Sequence, residues 1–187
     1  YMTAKEEDIL TNVNFLQNGT VIDKLLQSVI LSDIDYDSLL VGDKNAILVA
    51  TRILGYGSEY EITYNGKPYK VDLSKVENKP INEEKFKEKG NYFEFELPFS
   101  KVKITFKLLT VGDEKEIEKE VKGLKKINKE YNNDFLTRLN YMITSIDGDT
   151  SAQTIRNFTE NYFLARDSRA FRIFLNISEL NGNLVSS

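Results

Sequence analysis

The period of the hydrophobic pattern changes twice along this chain, and this change constrains the fold more than any other feature. Up to about residue 57, apolar residues recur every three or four positions, which is typical of helices. In two stretches, 59–73 and 92–109, they alternate with polar residues, as in strands, and a charged stretch at 74–91 separates the two. After Gly112 the helical spacing returns. We therefore predict an α+β fold, a mainly helical domain with one or two β-hairpins forming a small antiparallel sheet.

The same pattern predicts three parts that pack as one compact unit. They are an N-terminal helical part (1–57), a β-hairpin part inserted into the helical core (58–110) and a C-terminal helical part (111–187). A length of 187 residues is usual for one domain, and a hydrophobic content of 41% is enough for a sizeable core.

The N-terminal part begins with a capping signal. Thr3 and Glu6 have the spacing of a capping box, which predicts a helix over about 3–12. Apolar residues spaced by three and four predict a second, amphipathic helix over about 21–30.

The least polar stretch runs from Leu39 to Gly57. Its apolar run, from Ala46 to Leu54, is too short for a membrane span, which needs about 20 residues. Apolar side chains cover most of the helix circumference, so we predict a buried helix at the centre of the core. Asp43 suits its first turn, and Gly55 and Gly57 suit its exit.

Two hairpins are predicted in the β-hairpin part. Asn65-Gly66 is the preferred dipeptide of a type I′ turn, and the resulting register matches apolar with apolar and Glu with Lys. Its predicted pairs are Tyr64 with Lys67, Ile62 with Tyr69, Tyr60 with Val71 and Glu61 with Lys70. A loop over 98–101 gives a second hairpin, whose pairs are Leu97 with Val102, Phe95 with Ile104, Phe93 with Phe106 and Glu96 with Lys103. The two hairpins are candidates to share one small sheet.

The C-terminal part predicts four helices. The first carries a narrow apolar stripe of Ile117, Val121 and Leu124 and is otherwise exposed. The second covers about 134–146. The last two cover about 151–165 and 168–178, with Asp167 and Ser168 between them.

Composition excludes several kinds of chemistry. Without cysteine or histidine, the chain cannot form disulfides, thiolate or histidine metal sites, or histidine-centred catalytic triads. The net charge of −4 gives no basic field for nucleic acid. We expect no cofactor, no nucleic-acid partner and no membrane span.

Two acidic stretches are candidate metal sites. Asp33, Asp35 and Asp37 begin like an EF-hand loop, but the required glycine and glutamate are replaced by Ser38 and Lys44. Asp147 and Asp149 flank a glycine, where they form either a turn with a helix cap or a magnesium site. We expect that the protein is not an enzyme. The alternative is a carboxylate- and magnesium-dependent enzyme that uses Asp147 and Asp149.

The segment "ARDSRAFR" is the candidate binding site. It places Arg166, Arg169 and Arg172 close together in the sequence, with Phe171 among them. Arginine and aromatic residues are enriched at interface anchors, so these four residues are candidates to bind an acidic partner. A helix start with local ion pairs is the other interpretation.

Four segments, in order, resemble the family of T-even-type bacteriophage baseplate hub and hub-assembly proteins. They are "MTAKEEDILTN", "LLVGDKNAILVATRILGYGSEYEI", "FELPFSKVKITFKLLTVGDEKEIE" and "ARDSRAFRIFL". The resemblance implies a structural or assembly role in the baseplate hub, through contacts with other baseplate and tail hub proteins, with self-association left open. It also implies a location in the host cytoplasm during assembly or in the tail baseplate of the virion.

The chain departs from that family at the tip of the first hairpin. Similar members often carry a Cys-x-x-Cys pair in a ribbon there, whereas this chain has Tyr64-Asn65-Gly66-Lys67. The resemblance therefore implies no zinc site, and an Asn-Gly turn can close the hairpin by backbone geometry alone.

Overall fold

A computed structural model of the chain describes residues 2–75, 90–127 and 134–177. Within these ranges it has eight α-helices and five strands. The helices are α1 (Ala4–Thr11), α2 (Val13–Gln17), α3 (Val21–Val29), α4 (Val41–Tyr56), α5 (Val111–Ile127), α6 (Asp134–Met142), α7 (Ala152–Asn161) and α8 (Ala165–Ile177). The strands are β1 (Glu59–Tyr64), β2 (Lys67–Asp72), β3 (Phe93–Glu96), β4 (Lys103–Phe106) and β5 (Ile143–Ile146). The predicted α+β, mainly helical fold is confirmed.

The strands form two separate antiparallel sheets, β1-β2 and β3-β4-β5, so the two hairpins do not share one sheet. The chain divides into two compact units. The first comprises Tyr1–Tyr36, Gly42–Lys79 and Gly182–Ser187, and the second comprises Asp37–Val41 and Pro80–Asn181. The hairpins thus belong to different units, although the predicted part 58–110 groups them. The expected packing as one unit stays a prediction.

In the first unit, Glu6 joins α1 to α3. The predicted capping box is confirmed, since the Thr3 backbone N–H donates to the Glu6 carboxylate at 2.7 Å and Thr3 is the N-cap of α1. The same buried carboxylate accepts a hydrogen bond from the Ser28 hydroxyl of α3. Hydrogen bonds donated by Ser28, the largest cause, and by Thr3 lower the pKa of Glu6 to about 2.

The prediction that α4 is the centre of the core is wrong. Thr51 is its one buried residue, and Leu54 is 65% exposed. An apolar circumference does not determine how many elements cover a helix. Every other residue of α4 is partly or fully exposed. Asp43 lies in the first turn and Gly57, at φ +85°, follows the last residue, as predicted. The prediction that Gly55 also forms the exit is wrong, because Gly55 lies inside α4.

The first hairpin has the predicted register at every predicted pair. Asn65 and Gly66 have φ values of 50° and 73°, as a type I′ turn requires. All six residues of β1 are exposed, as are the first four of β2, so neither face of most of this hairpin is covered.

In the second unit, β3 and β4 also pair as predicted. The predicted helix over 134–146 is wrong at its end, because α6 stops at Met142 and the next four residues form β5. β5 pairs with the edge of β4 that β3 leaves open, placing Ile146 opposite Ile104. The sequence Ile-Thr-Ser-Ile favours a strand, and this pairing satisfies its backbone.

The main core lies between the three-stranded sheet and the last helices. Phe106 of β4 and Phe171 of α8 are fully buried, and their rings meet edge to face at 5.1 Å between centroids. The predicted stripe of α5 is confirmed for Ile117 and Val121, which pack in a smaller cluster with Leu109.

The boundary between the last two helices differs from the prediction. α7 ends at Asn161 and α8 begins at Ala165, so Asp167 lies inside the first turn of α8 and does not separate two helices. Tertiary hydrogen bonds explain its place there. The backbone N–H groups of Phe99 and Ser100, in the β3–β4 loop, donate to its carboxylate at 2.8 and 3.0 Å.

Candidate functional site

Helix α8 has one buried face and one exposed face. Asp167, Phe171 and Leu175 recur every fourth residue and are buried. The opposite face is exposed at Arg166, Arg169, Arg172 and Ile173. The predicted arginine cluster therefore lies along one side of a single helix, directed away from the core.

Two of the arginines lie over exposed aromatic rings. The Arg166 guanidinium is 5.6 Å from the ring centre of Phe99, and that of Arg172 is 5.3 Å from the ring centre of Phe135. Phe99 is 53% exposed and Phe135 is 42% exposed. Each pair is within the distance of a cation–π contact, which favours a position of the guanidinium over the ring at the surface.

None of these three arginines forms an ion pair with a carboxylate in the part of the chain that the structure describes. The arginines of α6 and α7 differ, since Arg138 pairs with Glu114 and Arg156 with Glu120. The interpretation of "ARDSRAFR" as a helix start with local ion pairs is therefore right about the helix start, since α8 begins at Ala165, but its ion pairs are not found for these arginines within the described ranges.

Phe171 was predicted to belong to the same surface, and its position there is corrected. Its side chain is fully buried against Phe106, Phe95 and Phe163. Alternation along a helix explains the error, because Phe171 is one residue from Arg172 in sequence but about 100° away around the helix. We call the exposed set formed by Arg166, Arg169, Arg172, Ile173, Phe99 and Phe135 the arginine face.

The β3–β4 loop is anchored to α8 by Asp167. This residue is fully buried, and it fixes the loop that carries Phe99 beside Arg166. Burial by itself raises the pKa of Asp167, but the N–H donors of Phe99 and Ser100 outweigh it and the pKa is lowered. The carboxylate is thus ionised and acts as a structural acceptor.

Asp147 and Asp149, the magnesium candidates, have structural hydrogen bonds. Asp147 has φ 48° in the turn after β5, and its carboxylate accepts the Lys103 N–H at 2.9 Å. The Asp149 carboxylate accepts the Ser151 N–H at 2.8 Å and the Thr154 hydroxyl at 2.7 Å, next to the N-cap of α7. Hydrogen bonds donated by Ser151, the largest cause, and by Thr154 lower the pKa of Asp149. Both residues therefore have the predicted turn-and-cap role.

The described residues also contain neither a metal-binding cluster nor a membrane-spanning helix. In the described ranges, no three carboxylate side chains lie close enough to hold a metal ion, and no helix is long and apolar enough to cross a membrane. Asp37, from the calcium candidate, forms an ion pair with Lys115 at 2.5 Å.

We expect a chelator to leave the thermal stability of this protein unchanged. The first hairpin is closed by the Asn65-Gly66 turn, and the chain has no cysteine or histidine to hold a structural zinc. Thermal melting with and without EDTA, followed by circular dichroism, tests this. A drop of several degrees in the melting temperature on adding EDTA would contradict a metal-free fold.

Comparisons with known proteins do not add a family to these observations. A scan against protein-family models, a search of curated proteins and a search of solved structures each found no match to this chain. The functional argument therefore depends on the arginine face and on the sequence resemblance given above.

The sequence pointed to the three arginines but not to the two aromatic residues below them. Phe99 and Phe135 are 67 and 31 residues before Arg166 in the chain, and only the packing of the β3–β4 loop and α6 beside α8 brings them to the arginines. One available signal was Pro98-Phe99 in a hairpin loop, where an aromatic residue is expected to be exposed.

Proposed function

We propose that this protein is a structural or assembly component of the baseplate of a contractile-tailed bacteriophage, in its central hub or as an assembly factor of the hub. It acts through protein–protein contacts and not as an enzyme. Its partners are other baseplate and tail hub proteins, met in the host cytoplasm during assembly or in the tail baseplate of the virion. The resemblance of four ordered segments to that family supplies the biological setting.

The arginine face is the observation that carries this proposal. Three guanidinium groups lie on one side of α8, and two of them are held over aromatic rings. A guanidinium in a cation–π contact can still form two parallel hydrogen bonds to a carboxylate. The exposed Ile173 adds apolar contact area between them. Arginine and aromatic side chains in this combination favour an acidic protein partner.

The magnesium-dependent alternative is not developed further. Asp147 and Asp149 are both engaged in hydrogen bonds that close a turn and cap a helix, and no other observation favours catalysis at that position.

The double variant Arg166→Ser with Arg172→Ser tests the proposal. Both side chains are exposed, so circular dichroism and the melting temperature should stay close to those of the parent. We expect weaker capture of tail proteins from an infected-cell lysate, by about tenfold or more, and unfinished hub intermediates during infection. A folded variant that captures tail proteins and assembles hubs normally would contradict the role of this face.

The matched control is Lys119→Ser with Lys122→Ser on α5. It also removes two positive charges from exposed side chains. These two lysines form ion pairs with Glu116 and Glu118 on the same helix. Normal hub assembly by this control and failure by the arginine variant would assign the effect to the arginine face and not to net charge. Arg166→Lys with Arg172→Lys then separates charge from geometry, because lysine keeps the charge but loses the planar, bidentate group.

A further inference from the structure

The two edges of the β1–β2 hairpin are chemically different. The Leu73 N–H donates to the Ser58 carbonyl at 2.8 Å, which makes that pair a hydrogen-bonded one. Because such pairs alternate along an antiparallel ladder, the residues between them direct their backbone groups outward. On β1 these outward residues are Glu59, Glu61 and Thr63, and on β2 they are Pro68, Lys70 and Asp72.

The β2 edge is poorly suited to pair with another strand. Pro68 has no N–H to donate, and an edge lysine such as Lys70 is a common means of preventing strand addition. The β1 edge has no proline and no lysine. Its Glu59 carbonyl accepts a hydrogen bond from Arg52 at 3.4 Å. The backbone N–H and C=O groups of Glu61 and Thr63 have no hydrogen-bond partner among the described residues.

We infer that β1 pairs with β1 of a second copy of this chain, antiparallel and centred on Ile62. This inference is independent of the proposed function. In this register, Glu61 of each copy faces Thr63 of the other, and the two pairs exchange four backbone hydrogen bonds. Those bonds use the outward N–H and C=O groups of both Glu61 and Thr63 in each copy. The Glu59 carbonyl does not take part and keeps its hydrogen bond from Arg52.

Charge and side-chain direction disfavour two neighbouring registers. Moving the centre to Glu61 would place two like charges directly opposite each other, which destabilises strand pairing. Moving the register by one residue would put the apolar face of one copy and the polar face of the other on the same side of the shared sheet. Centred on Ile62, Glu61 lies between Lys70 of its own hairpin and the uncharged Thr63 of the second copy.

The side chains on the apolar face also match in this register. Ile62 meets Ile62 of the second copy, and Tyr60 meets Tyr64, which joins the two apolar faces into one. Tyr60, Ile62, Tyr64 and Tyr69 are all exposed in the single chain. An isolated two-stranded hairpin is marginally stable in water, and the pairing converts it into a four-stranded sheet.

Single-cysteine variants test this pairing directly, because these 187 residues contain no cysteine and any disulfide must join two copies. In Ile62→Cys the two thiols face each other in a non-hydrogen-bonded pair, where Cα atoms lie about 4.5 Å apart, within disulfide range. The control is Tyr69→Cys, on the same exposed face. Its thiols would be separated by three strand spacings, about 14 Å.

The two cysteine variants should differ on mild oxidation. We expect the Ile62→Cys variant to convert mainly to a disulfide dimer of twice the 21.5 kDa chain mass, and the Tyr69→Cys variant to stay mainly monomeric. Non-reducing gel electrophoresis measures the two fractions. Equal cross-linking of the two variants, or none in either, would overturn the inference.

A proline pair tests the backbone contribution in the cysteine-free chain. Thr63→Pro and Lys70→Pro each remove one outward N–H, and neither N–H belongs to the β1–β2 ladder. By light scattering across a concentration series, we expect the parent and Lys70→Pro to show a mass rising toward that of a dimer. Thr63→Pro should lose this rise, with an unchanged circular dichroism spectrum. A parent that stays monomeric throughout, or equal loss in the two proline variants, would contradict pairing through the β1 edge.

Discussion

Phe171→Ala should lower the free energy of unfolding of this protein by about 3–5 kcal/mol. The side chain is fully buried, and its ring packs against Phe106 at 5.1 Å and Phe95 at 5.6 Å between centroids. Removing the ring leaves a cavity between α8 and the three-stranded sheet and also removes these aromatic contacts. Urea denaturation followed by circular dichroism measures the change.

Ile173→Ala is the matched control on the same helix. Ile173 is two residues away but 46% exposed on the arginine face, so we expect a loss of less than about 1 kcal/mol. This pair of variants tests which face of α8 is buried. Equal destabilisation by the two substitutions would mean that the helix is rotated from the orientation described here.

Asp167→Ala should also destabilise strongly, by several kcal/mol. It leaves the partly buried backbone N–H groups of Phe99 and Ser100 without their acceptor, at a cost of up to about 1–3 kcal/mol for each donor. The control is Asp149→Ala. It also removes a carboxylate with two donors, but this residue is exposed, so water can replace it and we expect a much smaller loss of stability. If the Asp149 variant were the less stable of the two, the anchoring role of Asp167 would be wrong.

The pH dependence of stability provides a second measurement on Asp167. Its pKa in the folded protein is lowered, so the unfolded chain binds a proton at a higher pH than the folded one. The stabilising effect is therefore complete above the unfolded pKa of about 3.9 and is lost as the pH falls toward the folded pKa. Asp167→Asn cannot titrate, so the stability difference between parent and variant should shrink below about pH 4. Because Glu6 also has a lowered pKa, only the difference between the two proteins isolates Asp167. A constant difference across this pH range would contradict the assignment.

The sequence by itself determined the features that depend on neighbours in the chain. The capping box at Thr3 and Glu6 needs residues three apart, and the registers of both hairpins follow from their turns. A turn of fixed length pairs each residue of one strand with one residue of the next, so a local signal is sufficient. The position of the arginines followed from the sequence for the same reason, since they occupy one short segment.

Only the tertiary structure decided which surfaces are covered. Ile143–Ile146 continues a helical pattern in sequence but becomes β5, because β4 offers an open edge that pairs with its backbone. The apolar helix α4 has Thr51 as its one buried residue, whereas Asp167, a charged residue, is fully buried and accepts hydrogen bonds from loop N–H groups elsewhere in the chain. Burial depends on contacts between residues distant in sequence, and such contacts leave no periodic signal along the chain. For the same reason, the structure alone brought Phe99 and Phe135 to the arginines of α8.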